Sequence, residues 1–103
     1  MKIYVSKEVM QLFQIEVEKF GMQKIGLMPV WMEEDEHNVW AIYDAQNSDE
    51  AIVEMKSETM RLWVPQSCIE ELKDRVIVRG RRGFTTVGIG DSLPSQVTTF
   101  VTE

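Results

Sequence analysis

Residues 24–64, KIGLMPVWMEEDEHNVWAIYDAQNSDEAIVEMKSETMRLWV, decide how the chain folds. Four short apolar runs stand at KIGLMPVWM (24–32), VWAIYDA (39–45), AIVEMK (51–56) and MRLWV (60–64), separated by the polar turns EEDEHN, QNSDE and SET. Runs this short, rich in Val, Ile and Trp and bounded by polar clusters, are strands rather than helices. Their spacing predicts an antiparallel meander. Pro29 has no amide hydrogen, so the first of these strands is expected at an edge or at a bulge.

On the N-terminal side the period changes. KIYV (2–5) reads as a short strand and Ser6 as a helix N-cap, its hydroxyl placed to accept from a free first-turn amide. Val9, Phe13, Val17 and Phe20, with Met10 beside them, form one helical stripe, and Gly21 supplies the stop. A helix over 6–20 follows. Leu12 and Ile15 widen its apolar part, which predicts cover on more than one side.

On the C-terminal side, PQSCIEELKD (65–74) reads as a short helical turn. Ser67 is its candidate cap, Glu70 stands at capping-box spacing, and Ile69 and Leu72 face inward. RVIVRG and FTTVGIG read as hairpin partners across RGRRG, DSLPSQ (91–96) as a turn, and VTTFV (97–101) as a last strand. The expected fold class is α+β. One N-terminal helix packs on a curved antiparallel sheet or small barrel, with a short second helical turn, in a single domain over 1–103.

Charge narrows the function classes. The 103 residues carry 11 basic and 17 acidic side chains, a net charge of −6. That disfavours a whole-surface affinity for nucleic acid or membrane. Lys73, Arg75, Arg79, Arg81 and Arg82 nevertheless concentrate five of the eleven bases in ten positions, beside one acid, Asp74. The residues that could neutralise this window from nearby are Asp74, Glu70 and Glu71. Cys68 is the single cysteine, which rules out an intrachain disulfide and a multi-cysteine metal site and predicts a cytoplasmic setting. No secretory signal or membrane-length apolar run is present, so no membrane partner is expected.

Catalytic chemistry finds little support. Glu33, Glu34, Asp35 and Glu36 before His37 are consecutive, and no glycine lets them fold back around one cation, so they read as a solvated hairpin tip. His37 is the only histidine. Carboxylates in the turns (Asp44, Asp49, Asp74, Asp91) pick out no acid–base pair. Cys68 near a helix start is either an activated thiol or a small buried filler, and the filler is the favoured reading. No metal or cofactor is expected, and an enzyme is the less favoured reading, one that two convergent carboxylates in a pocket with Cys68 or His37 would revive.

Two features suit binding. Trp31, Trp40 and Trp63 fall on strands with Tyr43, either as core aromatics or as an exposed patch for bases or a protein. Gly80-Arg81-Arg82-Gly83 has the spelling of a KH-domain loop, but that loop joins helices and this one joins strands. It leaves Arg79, Arg81 and Arg82 at a hairpin tip beside Phe84, with Arg75 on the preceding strand. Such a tip could grip phosphates with a ring under a base, enter an acidic groove on a protein, or simply be a soluble turn that needs glycine.

Residues 48–72 contain Trp63, Val64, Pro65, Gln66, Ser67, Cys68 and Ile69 after a strand and a polar turn. This resembles the Trp-Val/Ile-Pro-x-Ser hairpin of small uncharacterised phage and mobile-element proteins. The resemblance implies such an origin and no activity. The opening strand and helix before a β-rich body are also similar to A-type iron–sulfur scaffold proteins, whose chemistry needs three late cysteines that this chain lacks. The expected function is therefore an acidic, cytosolic protein-interaction or inhibitor module docking on a host protein or nucleoprotein complex. The alternative is a single-stranded nucleic-acid-binding small barrel using the Arg79–Phe84 hairpin. Homodimerisation through the KIGLMPVWM edge is a further expectation.

Overall fold

The computed structural model describes residues 1–90 and 96–102. The turn expected at DSLPSQ lies outside the described residues, apart from Gln96. The elements are β1 (Lys2–Ser6), α1 (Lys7–Phe20), β2 (Ile25–Met32), β3 (His37–Asp44), β4 (Ile52–Lys56), β5 (Arg61–Pro65), β6 (Arg75–Arg79), β7 (Phe84–Gly88) and β8 (Val97–Val101). Short 3-10 turns occupy Ala45–Asn47 and Ile69–Leu72. The strands close into a barrel in the order β1-β6-β7-β3-β2-β5-β4-β8. The fold is α+β with a small barrel, as expected.

The sheet is mixed, not antiparallel. β1 with β6 and β2 with β5 are parallel pairs. The expected meander also breaks in the middle. β2 pairs with β3 and β4 pairs with β5, but β3 turns its second edge to β7. The reason is local. The Asp44 carboxylate accepts from the Gln46 amide at 3.1 Å and starts the 3-10 turn. The Ala45 amide donates to the Lys24 carbonyl at 2.9 Å, which ends the β2–β3 ladder there. Turn spacing reveals hairpins, but hydrophobic pattern does not say which edge a hairpin meets.

Ser6 caps α1 as its sequence implies, accepting from the Val9 amide at 3.3 Å, and Gly21 ends it with φ 61°. Val9, Met10 and Phe13 are buried in one cluster with the inward residues Ile3, Leu27, Leu62, Ile77 and Phe100. The far end of the stripe departs from expectation. Phe20 and Ile15 are exposed, so α1 is covered on one side only. The helix follows β1 without a loop, and its first turns take up the core contact.

The second helical segment is a 3-10 turn and Ser67 does not cap it. Cys68 holds the cap position without a side-chain cap bond. Its amide already donates to the Pro65 carbonyl at 3.1 Å, which turns the chain before the helix can start. Ile69 and Leu72 are buried, as their positions predict.

The barrel is stitched unevenly. β1–β8, β2–β3, β4–β5 and β6–β7 are continuous ladders. By contrast, single residue pairs close β3–β7 (Trp40 with Phe84), β2–β5 (Gly26 with Trp63) and β4–β8 (Lys56 with Val101). At the first seam, Phe84 is 8% exposed, Trp40 is 2% exposed, and the Phe84 ring meets Phe13 edge-on with centroids 5.5 Å apart. At the second, Gly26 is required by close approach: a Cβ there would stand 2.5 Å from Cε1 of Tyr43.

Phe84→Ala removes the ring that joins helix to seam and is expected to cost about 3–5 kcal/mol in chemical denaturation. Trp31→Ser, on an exposed strand end, is expected to stay within about 0.5 kcal/mol of the parent protein in the same measurement.

Candidate functional site

The basic window does not form one patch. Arg75 lies at the start of β6, opposite Gly88, and donates through Nε to Thr86 Oγ1 at 2.9 Å and through Nη2 to the Thr86 carbonyl at 3.2 Å. Arg79 pairs with Glu8 of α1 at 3.1 Å, and Arg82 pairs with Glu34 of the β2–β3 turn at 2.6 Å. The window is met by acids distant in sequence rather than by Asp74, Glu70 or Glu71. Asp74 adopts φ 56° and its amide donates to the Lys2 carbonyl at 2.9 Å, while Glu71 accepts from Asn38 Nδ2 at 2.9 Å. Among the described residues, Arg81 has no ion-pair partner.

The hairpin glycines serve the turn. The Gly80 amide donates to the Gly83 carbonyl at 2.7 Å, and a Cβ on Gly83 would come 3.1 Å from the Trp40 carbonyl. Phe84 is core, so the ring expected to stack on a base is out of reach of one. A shallow cleft of about 330 Å³ remains between the two hairpin tips, lined by Asp35, His37, Gly80, Arg81 and Arg82. The acidic tip tightens without glycine because Glu36 itself takes a left-handed φ of 53°. Among the described residues, no group of His, Cys, Asp and Glu is placed to hold a metal ion.

The aromatic patch is likewise divided. Trp40 is inside the barrel, whereas Trp31 is 58% exposed. Trp63 and Tyr43 flank Gly26 in register on neighbouring strands. Lys24 Nζ lies 5.7 Å from the centre of the Trp63 ring, so the chain supplies that ring with its own cation. Trp40 is thus core, Trp63 and Tyr43 are half-buried, and Trp31 alone stands well out in solvent.

Trp31 belongs to a feature assembled by the topology. β2 pairs with β5 in register only at Gly26, while β3 covers its other edge over its full length. Bonding alternates along an antiparallel pair. Since the Ala45 amide bonds to Lys24, the even-numbered positions of β2 bond to β3 and the odd-numbered ones face away. Pro29 therefore sits where β3 needs no amide from it, and the outer edge beyond Leu27 presents the Pro29 carbonyl and the Trp31 amide and carbonyl. Met28 and Val30 are also exposed, on the opposite face from Trp31.

Where β2 and β5 separate, a cleft of about 370 Å³ opens. Met28 and Pro29 line one side, Pro65, Ser67 and Cys68 the other, with Tyr43, Ser48, Asp49 and Glu50 completing it. Prolines on both diverging strands explain the split, since neither can donate to a continued ladder. Burial raises the Tyr43 phenol above its ordinary value, with Ser48 opposing. The Tyr43 hydroxyl is enclosed without a partner in hydrogen-bond geometry. Burial, with Glu71 and Glu50 nearby, pushes the Cys68 thiol up to about 11, and Sγ donates to the Pro65 carbonyl at 3.4 Å. At neutral pH this is a protonated filler, not a nucleophile. The sequence reading had the β2 edge through Pro29 but missed the cleft. The signal was the second proline, Pro65, closing another strand.

No protein-family pattern, no curated protein and no solved structure matches the chain. Among the described residues, no helix is long and apolar enough to cross a membrane.

Native Cys68 is expected to resist iodoacetamide at neutral pH and to react on unfolding. Its folded value lies above the unfolded one, so its contribution to stability is complete below pH 9.0 and is lost as pH rises toward about 11. Cys68→Ala should flatten that part of the stability–pH curve, measured by denaturation at each pH. Arg79→Ala and Arg82→Ala break exposed pairs and are each expected to cost no more than about 1 kcal/mol by denaturant titration.

Proposed function

We propose that this chain is a small acidic interaction or inhibitor module that docks on a host protein or nucleoprotein complex through the outer stretch of β2. The hairpin resemblance of residues 48–72 supports a phage or mobile-element origin. The observation that carries the docking reading is the combination at Met28, Val30 and Trp31: large apolar side chains exposed on both faces of a strand whose outer backbone edge has no partner among the described residues. Folded proteins usually shorten, charge or cover such an edge. Here the blunting device is Pro29, which removes one donor and leaves the acceptors. Exposed tryptophan on a rigid strand suits a binding anchor, because it offers much area with few rotatable bonds.

The nucleic-acid reading draws less support. Phe84 is buried, and Arg79 and Arg82 are paired with Glu8 and Glu34. A phosphate would have to displace those carboxylates on a chain of net charge −6.

The deciding experiment compares the parent protein with Trp31→Ser and with an Arg79/Arg81/Arg82→Ala triple variant. Stoichiometric capture of a protein from bacterial lysate is expected to survive the arginine changes and to be lost with Trp31→Ser. Fluorescence anisotropy with single-stranded DNA and RNA at low salt is expected to show no binding. Salt-sensitive nucleic-acid binding that the triple variant abolishes would replace this reading with the other.

A further inference from the structure

The β2 edge and the β2/β5 cleft are continuous, since Met28 and Pro29 belong to both. The chemistry of the cleft is one-sided. Asp49 and Glu50 supply carboxylates, Tyr43 lends its ring with the hydroxyl enclosed beside Ser48, and none of the lining residues is basic. The strand beside it presents two carbonyls and one amide past Leu27. Such a surface repels an anion and leaves acceptors that an incoming group must satisfy with donors. Its walls, Met28, Pro29 and Pro65, are apolar and suit the stem of a long side chain. A guanidinium matches the set: five donors, no acceptor, and a planar form able to lie against a phenol ring.

Resting on the docking reading above, we propose that the partner presents an extended segment that runs along β2, with an arginine side chain seated in the β2/β5 cleft. The segment adds its backbone to the open edge beyond Leu27, where Pro29 and Trp31 accept. Its apolar side chains meet Trp31 on one face and Val30 on the other, and its arginine meets Glu50, Asp49 and Tyr43. Main-chain pairing supplies affinity in such strand addition, and the side-chain cleft supplies selectivity.

Three capped eight-residue peptides of alternating Val and Thr, carrying one central arginine, glutamate or leucine, test this. Each is titrated into the ¹⁵N-labelled full chain and followed by amide shifts. The arginine peptide is expected to bind about tenfold more tightly than the leucine peptide, the measure of one charge-assisted contact. It should perturb Tyr43, Glu50 and Trp31 together, and the glutamate peptide should bind least. An Asp49→Asn/Glu50→Gln double variant should equalise the arginine and leucine peptides while leaving the leucine peptide's own affinity unchanged. Tyr43→Phe should keep the fold and weaken the arginine peptide alone. Equal binding of all three peptides, still lost with Trp31→Ser, overturns the arginine assignment and leaves the docking reading standing. Perturbations confined to the Arg81 hairpin, or no peptide binding at all, also overturn the assignment. Lysate capture unaffected by Trp31→Ser overturns the docking reading itself. Concentration-dependent dimerisation in sedimentation, abolished by Val30→Lys, would assign the edge to a second copy and overturn both.

Discussion

Phe84 has to be buried where β7 meets β3, and much of the barrel follows from that. Its backbone makes the single β3–β7 pair with Trp40, and its ring meets Phe13 of α1 edge-on. One side chain thus fastens the helix to the sheet and the C-terminal hairpin to the central one. The arginines around it are consequences of this anchoring. With Phe84 inward, the following strand returns along β6, the tip turns on Gly80 and Gly83, and Arg79 and Arg82 are carried to within reach of Glu8 and Glu34. Exposed pairs of this kind add little stability. Their effect is to neutralise a window that looks strongly basic in the linear chain.

The second constraint is the opposite of close packing. Eight strands close around one core, yet three seams are held by single residue pairs. Where prolines stand past such a seam, pairing cannot resume and the strands part. Between β2 and β5 this leaves an acceptor-rich cleft, bordered by the exposed end of β2. Asn38 of β3, opposite Trp31, donates to Glu71 within the second 3-10 turn. An apolar, open-edged strand next to an acidic cleft is the arrangement on which the proposed docking rests.

Legibility in the sequence tracked the range of the physics. The Ser6 cap, the Gly21 stop, each strand's existence and the β6–β7 hairpin depend on neighbours within a few residues, and they were readable. So was the likeness of Pro29 to an edge residue. Ser67 does not cap because the turn starts one residue later, with Cys68 in the cap position after its amide has closed on the Pro65 carbonyl. Phe20 and Ile15 fit the helical period but lie beyond the reach of the barrel they were expected to cover. The arginines and Phe84 do meet across the hairpin, Arg79 opposite Phe84, but burial takes the ring inward while the guanidiniums stay outside, which adjacency in sequence does not show. Phe84 and Arg82 are two residues apart and face opposite fates.

Composition and period by themselves determined the class: one helix, short strands, an acidic body and a single cysteine. Only the tertiary structure decided which edges meet, and so that the sheet is mixed and closed. It also decided which tryptophan faces water and which acids answer the arginines. The physical reason is that side-chain period fixes which face of an element is buried, whereas edge pairing and charge neighbours depend on contacts between residues tens of positions apart, and the local pattern carries no record of those.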